Sequence, residues 1–216
     1  MSLDLTPVDE HTPYPISTDG VVVNHRPPGT RILSGKYPIL TGLEHDEMGH
    51  PTGSPKYHTL MTARRRKKIQ QFASTLPLPE IYGEPEGELL VIGWGSTKGP
   101  IQEAVDRARK SGAKVSSMHM RYIFPQPEGL DSIFSKFKKI LVVEMNDSGI
   151  YGYGQLAAIL RSIYCDKRIK GFNKTEGLTF KIREILNAIK SELGMEIEAQ
   201  PLASSISSSE NQGIGG

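Results

Sequence analysis

The sequence predicts an α/β domain: three layers around a mostly parallel sheet, preceded by an extended Pro/Gly-rich N-terminal arm and a helix. Three observations predict it. Between residues 87 and 194, short β-branched runs alternate with amphipathic helical patterns, in the order β-α-β-α-β-α, then a linker and a helix. Short connections between such elements force neighbouring strands parallel, with helices on the sheet faces. Leu89–Gly93 (LLVIG) is continuously apolar, as a strand buried on both faces requires. The chain's 216 residues suffice for one real core plus a substantial appendage.

Residues 1–56 hold many Pro and Gly, scattered His and little periodicity, which predicts an extended arm. A helix is expected from His58 to Leu76, with Ile69, Phe72, Ala73 and Leu76 on one side. With the Pro/Gly-rich LPLPEIYGEPEGE it makes residues 57–86 a connecting helix and linker. The α/β domain, 87–194, opens with the LLVIG strand and the turn Gly93-Trp94-Gly95-Ser96-Thr97. Pro100 suits the first helical position, with Gly99 as cap. Ile101, Ala104, Val105 and Ala108 share one face, and Gly112 stops that helix. Val115 opens a second strand running to Phe124, before Pro125. Leu130, Ile133, Phe134 and Phe137 predict a second helix, and Lys139–Val143 with Glu144 a third strand. Leu156, Ile159, Leu160 and Ile163 mark a third helix. After a linker, Thr179 caps a fourth, with Ile182, Ile185, Leu186 and Ile189 as its stripe and Gly194 as its end. Residues 201–216 are Ser/Gly-rich with few large apolar side chains to offset ordering entropy, so a disordered tail is expected over 195–216.

Composition removes several function classes. With 26 basic and 24 acidic residues the net charge is +2, which gives no global attraction to nucleic acid or to an acidic membrane. A single cysteine, Cys165, excludes an internal disulfide framework and a cluster ligated by cysteines of this chain alone. No apolar run approaches the ~18 residues of a membrane span. The start MSLDLTPVDEH lacks the basic-then-apolar order of a signal peptide, so a cytoplasmic protein is expected.

Several motifs are candidates for chemistry. Gly93–Gly99 (GWGSTKG) follows a strand and opens a helix, where free N–H groups can hold a phosphate. Its third Gly stands one position late for the dinucleotide fingerprint, and no acid ends the second strand, which favours a tight structural turn. Arg64-Arg65-Arg66-Lys67-Lys68 reads either as a site for an anionic partner or as a helix face that is solvated or paired with acids on another chain. It lacks the interleaved aromatics of a base-stacking platform. Glu44-His45-Asp46-Glu47-Met48-Gly49-His50 gathers two His and three carboxylates within seven residues. Its spacing fits no zinc signature, so a hydrogen-bonded loop is expected ahead of a metal site. His119 and Arg121 end the second strand, and Asn146-Asp147-Ser148-Gly149 with Tyr151–Gly154 follows the third. Both lie where ligands gather on parallel sheets. Cys165, with no paired His nearby, is expected as a buried structural thiol.

The stretch from Leu89 to Asn146 resembles the transketolase C-terminal-like domain of thiamine diphosphate enzymes. The features that match are Gly93–Ser96 after the first strand, Arg121 and Pro125 after the second, and Glu144 ending the third. TDGVVVNHRPPGT, TGLEHDEMGHPTGSPKYHTLMTARRRKK and KGFNKTEGLTFKIREI resemble, more narrowly, the alpha subunit of 2-oxoacid:ferredoxin oxidoreductases of the 2-oxoglutarate type. The likeness spans roughly residues 13–190, and its TGLEHDExGH block is far more specific than G-x-G-S. It implies a heteromer that decarboxylates a 2-oxoacid on thiamine diphosphate, passes electrons through an iron–sulfur cluster to ferredoxin, and forms an acyl-CoA. It also implies that the Mg²⁺–diphosphate site lies on a beta subunit with a GDG…N motif, since this chain has no GDG.

The family's pyrimidine-binding domain would precede residue 13. The chain is therefore expected to be the C-terminal part of an alpha subunit, with residues 1–56 the end of that domain, serving assembly and inactive alone. The family's D-G-x-S-P-R-x-x-P-G segment stands here as Asp19-Gly20-Val21-Val22-Val23-Asn24-His25-Arg26-Pro27-Pro28-Gly29. Arg26 matches its Arg, with Asn24-His25 in place of Ser-Pro. A guanidinium there suits a 2-oxoacid carboxylate through paired hydrogen bonds. A non-catalytic assembly module and a small nucleotide-binding α/β protein are the competing readings.

Overall fold

The computed structural model describes residues 4–15, 26–37, 39 and 41–197. The chain divides into two compact units: Met1–Leu78 with Tyr122–Leu130, and Pro79–Arg121 with Asp131–Gly216, so far as these are described.

The second unit is built on a five-stranded sheet of order β1-β3-β2-β4-β5, formed by β1 (Ile81–Tyr82), β2 (Gly87–Trp94), β3 (Val115–Met120), β4 (Phe137–Glu144) and β5 (Ile169–Asn173). β3, β2, β4 and β5 are parallel, and only β1 pairs antiparallel, on β3. The α/β fold with a mostly parallel sheet is thus as expected. The helices are α1 (Pro55–Thr75), α2 (Lys98–Lys110), α3 (Leu130–Phe134), α4 (Gln155–Tyr164) and α5 (Ile182–Leu193).

Strand alternation explains the layers. Leu89, Leu90, Val91 and Ile92 have no exposed surface, and the side of β2 that carries Leu89 and Val91 meets α2 and α5. Leu89, Val91, Leu141 and Val143 pack on Ile101, Ala104, Val105 and Ala108 of α2 and on Ile185, Leu186 and Ile189 of α5. Full burial of each Leu, Ile or Val among them contributes ~1.5–3 kcal/mol.

Several expected boundaries shift. β3 ends at Met120 instead of reaching Phe124. The second helix is only Leu130–Phe134, closed by turns from Ser135 N–H to Asp131 O (2.9 Å) and Lys136 N–H to Ile133 O (3.1 Å). Phe137 starts β4 instead of ending that helix. α2 begins at Lys98 through a 3₁₀ turn at Gly95–Thr97, so Pro100 sits inside its first turn and Gly99 is not its cap. Lys181, not Thr179, precedes α5 as its cap, and Glu184 returns a carboxylate to the Lys181 N–H at 2.7 Å. Two segments read as linkers contain strands: β1 inside LPLPEIYGEPEGE, and β5 between the last two helices. Gly112 (φ 88°) and Gly194 (φ 69°) end α2 and α5 as expected, in the left-handed region.

The first unit holds α1 and the described parts of the arm. In it Val8 N–H donates to Arg31 O (3.1 Å) and Leu33 N–H to Val8 O (2.9 Å), linking two arm segments as a single parallel bridge. The expected tail beyond residue 197 and the segment Asp19–His25 lie outside the described residues.

Candidate functional site

In a parallel sheet the strand ends, loops and helix N-termini converge on the carboxyl edge. Here that edge is built around one acid. Glu144, the last residue of β4, has no exposed surface. Burying a carboxylate is tolerated only when its oxygens are filled with donors. Leu156 N–H donates to Oε2 and Ala157 N–H to Oε1, both at 2.9 Å, so Glu144 supplies the charge that the α4 N-terminus attracts. Asn146 Nδ2 (2.9 Å) and Trp94 Nε1 (3.4 Å) also donate to Oε2. Asn173 Nδ2, at the end of β5, donates to Asn146 Oδ1 at 2.7 Å. The ends of β2, β4 and β5 are thereby joined to the start of α4. Gly154 is required here, because a Cβ on it would overlap Glu144 Oε1 and Asn173 Nδ2.

The Gly93–Gly99 turn lies at the same edge. A Cβ on Gly93 would overlap Thr97 Oγ1 and Ile101 Cδ1, and Gly95 adopts φ 60°. Thr97 Oγ1 accepts from Trp94 N–H (3.1 Å) and donates to Trp94 O (2.8 Å), pinning the turn to itself. Ser96 Oγ reaches Met145 Sδ at 3.3 Å, tying this loop to the one after β4. These contacts make it a tight structural turn, the reading its spacing favoured. His119 lies opposite Gly93 in the β2–β3 register. Its Nδ1 is buried without a hydrogen-bond partner. Burial, then the positive charges of Lys98 and Arg121, hold its pKa below the ordinary 6.5, so the neutral ring is favoured.

The Glu44–His50 block is a hydrogen-bonded loop, as expected ahead of a metal site. Asp46 Oδ1 accepts from Met48 N–H and His50 N–H, both at 2.9 Å, and His50 Nδ1 lies 3.1 Å from Asp46 Oδ2. Gly49 takes φ 89°, and a Cβ there would strike Ile39 O. The loop fastens to α1: Arg65 donates through both terminal nitrogens to Glu44 (3.1 and 3.0 Å), His58 Nδ1 lies 3.1 Å from Glu44 Oε2, and Tyr57 OH donates to Glu47 Oε2 at 3.0 Å. Arg65 is the main reason that the Glu44 pKa falls from 4.5 to about 2. Arg64 donates to Tyr14 O (3.2 Å) and Pro15 O (2.8 Å). Part of the basic run therefore pairs within the chain.

Two sequence candidates stand elsewhere. Arg26 lies 3.7 Å from Asp4, with its side chain 36% exposed. Cys165 is exposed, not buried: it ends α4 at φ 50°, in the left-handed region that places its side chain at the surface. Sequence reasoning missed the joint roles of Trp94, Asn146 and Asn173; the signal for two of them was an Asn two residues after a strand or at its last position.

Among the described residues no three His, Cys, Asp or Glu side chains are grouped to hold a metal ion. Among them, too, no helix is long and apolar enough to cross a membrane.

Comparison with known proteins agrees with the sheet's architecture. Residues 87–185 match the model of pyruvate:ferredoxin oxidoreductase core domain II. The chain is 33% identical over 191 residues to the 2-oxoglutarate oxidoreductase subunit KorA of Mycobacterium tuberculosis, covering 87% of this chain and 27% of that one. It is 30% identical over 192 residues to the alpha subunit of 2-oxoacid:ferredoxin oxidoreductase 2 of Aeropyrum pernix, covering 87% and 28%. It superposes with TM-score 0.68 and 30% identity on the 2-oxoglutarate:ferredoxin oxidoreductase of Magnetococcus marinus, solved with 2-oxoglutarate, coenzyme A and succinyl-CoA bound. That match covers 83% of this chain and 30% of that one. The chain therefore spans between 27% and 30% of the length of these relatives.

Proposed function

We propose, from the match of residues 87–185 to core domain II of pyruvate:ferredoxin oxidoreductase, that the chain is part of the alpha subunit of a 2-oxoacid:ferredoxin oxidoreductase of the 2-oxoglutarate type. The complex oxidatively decarboxylates a 2-oxoacid to an acyl-CoA and reduces ferredoxin, with thiamine diphosphate, Mg²⁺ and an iron–sulfur cluster held outside this chain. The observation that carries the reading is the continuity of the likeness: 87% of the chain, arm and α/β domain together, aligns with alpha-type subunits.

In this reading residues 1–56 are the end of a pyrimidine-binding domain, 57–86 the connection, 87–194 the assembly domain and 195–216 a tail. Arg26 receives the substrate carboxylate; its present acid neighbour, Asp4, is 68% exposed and 3.7 Å away, leaving donors for a second anion. The chain is expected to copurify when co-expressed with the cognate beta subunit and the polypeptide carrying the pyrimidine-binding domain. Ferredoxin reduction is then expected to require the 2-oxoacid, CoA and this chain. Background activity with every 2-oxoacid overturns the reading. Arg26→Ala is expected to raise KM for the 2-oxoacid with kcat nearly unchanged; an unchanged KM removes Arg26 from the substrate site.

A further inference from the structure

The segment that leads from β1 into β2 and the turn that leads from α2 into β3 enclose a cavity of about 460 Å³. It lies where β2 and β3 begin, at the amino edge of the sheet, away from the Glu144 centre. Its volume falls within the ~300–1,000 Å³ typical of small-molecule sites. Its walls are fixed in advance. Gly83, at φ 114°, comes so close to β3 that a Cβ on it would overlap Arg109 Nη1 and Ser116 Oγ. The next residue is held twice: Ser116 Oγ donates to Glu84 O at 2.7 Å, and Arg109 Nη2 donates to Glu84 Oε1 at 3.0 Å. Past the segment, Glu88 N–H donates to Lys114 O at 2.9 Å. The facing wall turns at Gly112 and closes with Ala113 N–H on Ala108 O at 3.1 Å. A site ordered before its ligand arrives loses little entropy on binding.

The charges along the walls define the ligand. Glu84, Glu86, Arg109 and Lys114 all line the cavity. Glu84 and Arg109 neutralise each other. The Lys114 ammonium and the Glu86 carboxylate have no hydrogen-bond or ion-pair partner among the described residues. Glu88, a further acid within the electrostatic reach of Lys114, is bonded to Lys138 at 2.7 Å. One cation and one anion are therefore left over, beside the apolar surface of Pro85, Ala113 and Val115. A simple anion would leave Glu86 unmatched, and a simple cation would leave Lys114 unmatched. A molecule with one carboxylate, one ammonium and an apolar body satisfies all three features.

We propose that the cavity between Glu84–Glu86 and Gly112–Ser116 binds a free α-amino acid with an apolar side chain, its carboxylate on Lys114 and its ammonium on Glu86. This does not rest on the alpha-subunit reading.

The test is titration calorimetry and amide NMR of the 216-residue chain with three probes. These are L-leucine, its deaminated acid isocaproate, and its decarboxylated amine isoamylamine. L-Leucine is expected to bind and to shift the amide signals of residues 84–86 and 112–116. Isocaproate and isoamylamine are each expected to bind at least about tenfold more weakly, since each lacks one charged contact. Lys114→Ala and Glu86→Ala are each expected to weaken L-leucine by about tenfold with an unchanged thermal midpoint. Lys167→Ala, an exposed lysine outside the cavity, is the control and is expected to bind normally. The proposal is overturned if millimolar L-leucine does not bind, or if its signal shifts fall outside the cavity walls. It is overturned equally if isocaproate or isoamylamine matches L-leucine, or if both alanine variants bind as the wild type does. Each of these outcomes leaves the alpha-subunit reading to its own copurification test.

Discussion

Between residues 4 and 78, Ile32 and Met61 are the large apolar side chains that the described structure buries, whereas β2 alone buries Leu89, Leu90, Val91 and Ile92 completely. The arm is held instead by directed polar contacts: Arg65 to Glu44, Arg64 to the carbonyls of Tyr14 and Pro15, and Tyr57 to Glu47. Exposed contacts of this kind add modest free energy and much geometry. The difference teaches that one chain can carry a unit with its own core and a unit whose shape depends on a few specific bonds.

The comparison can be broken from either side. The largest effect is expected from Leu90→Ala, which empties a site with no exposed surface and costs ~3 kcal/mol, read as a fall in the thermal midpoint. A shift under ~1 kcal/mol would show that the sheet is not the stable element. Next comes Glu144→Gln, which sets an amide NH2 against one of the Leu156 and Ala157 N–H groups and removes the buried charge, at a cost of ~2 kcal/mol by denaturant titration. Arg65→Ala is expected to leave that midpoint in place while speeding proteolysis between residues 41 and 53. If it lowers the midpoint as far as Leu90→Ala does, the contrast between the units is wrong.

Acid sharpens the same point. The folded pKa of Glu44 lies below its ordinary 4.5, so its stabilisation is present above 4.5 and is lost as pH falls toward about 2. Arm cleavage should rise across that window. The smallest effect belongs to His119. Its folded pKa lies below 6.5, so the unfolded chain binds more protons just under that value, and stability should fall as pH drops through it. His119→Gln is expected to flatten that slope in unfolding measured at several pH values.

What the sequence displayed follows from how far apart the interacting residues are. Ile101, Ala104, Val105 and Ala108 announce α2 by spacing alone, and the Glu44–His50 loop declares itself by its density of acids and His. β5 was hidden because it is a short edge strand. Its Gly171 stands where a Cβ would crowd Asn173 Oδ1 (2.9 Å) and Gly154 N (3.1 Å), so packing placed a strand-breaking residue inside a strand. Phe137 falls in helical phase with Leu130, Ile133 and Phe134 by coincidence, and the chain leaves the helix before reaching it. The Glu144 centre could not be read locally. Apart from nearby Asn146, its donors lie 50 residues upstream at Trp94 and 12 and 13 residues downstream at Leu156 and Ala157, so only the folded sheet assembles them.

The short antiparallel β1 has a consequence for how the chain behaves in crowded solution. Ile81 and Tyr82 cover the open side of β3 at Met118 and Ser117, and Tyr82 OH is anchored to Asp106 Oδ2 at 2.8 Å. Ser116 Oγ donates to Glu84 O at 2.7 Å just beyond. At the far side, β5 carries Lys170 paired with Glu192. One rim of the sheet is thus occupied and the other charged, which denies a passing strand the bare ladder on which chain-to-chain polymerisation begins.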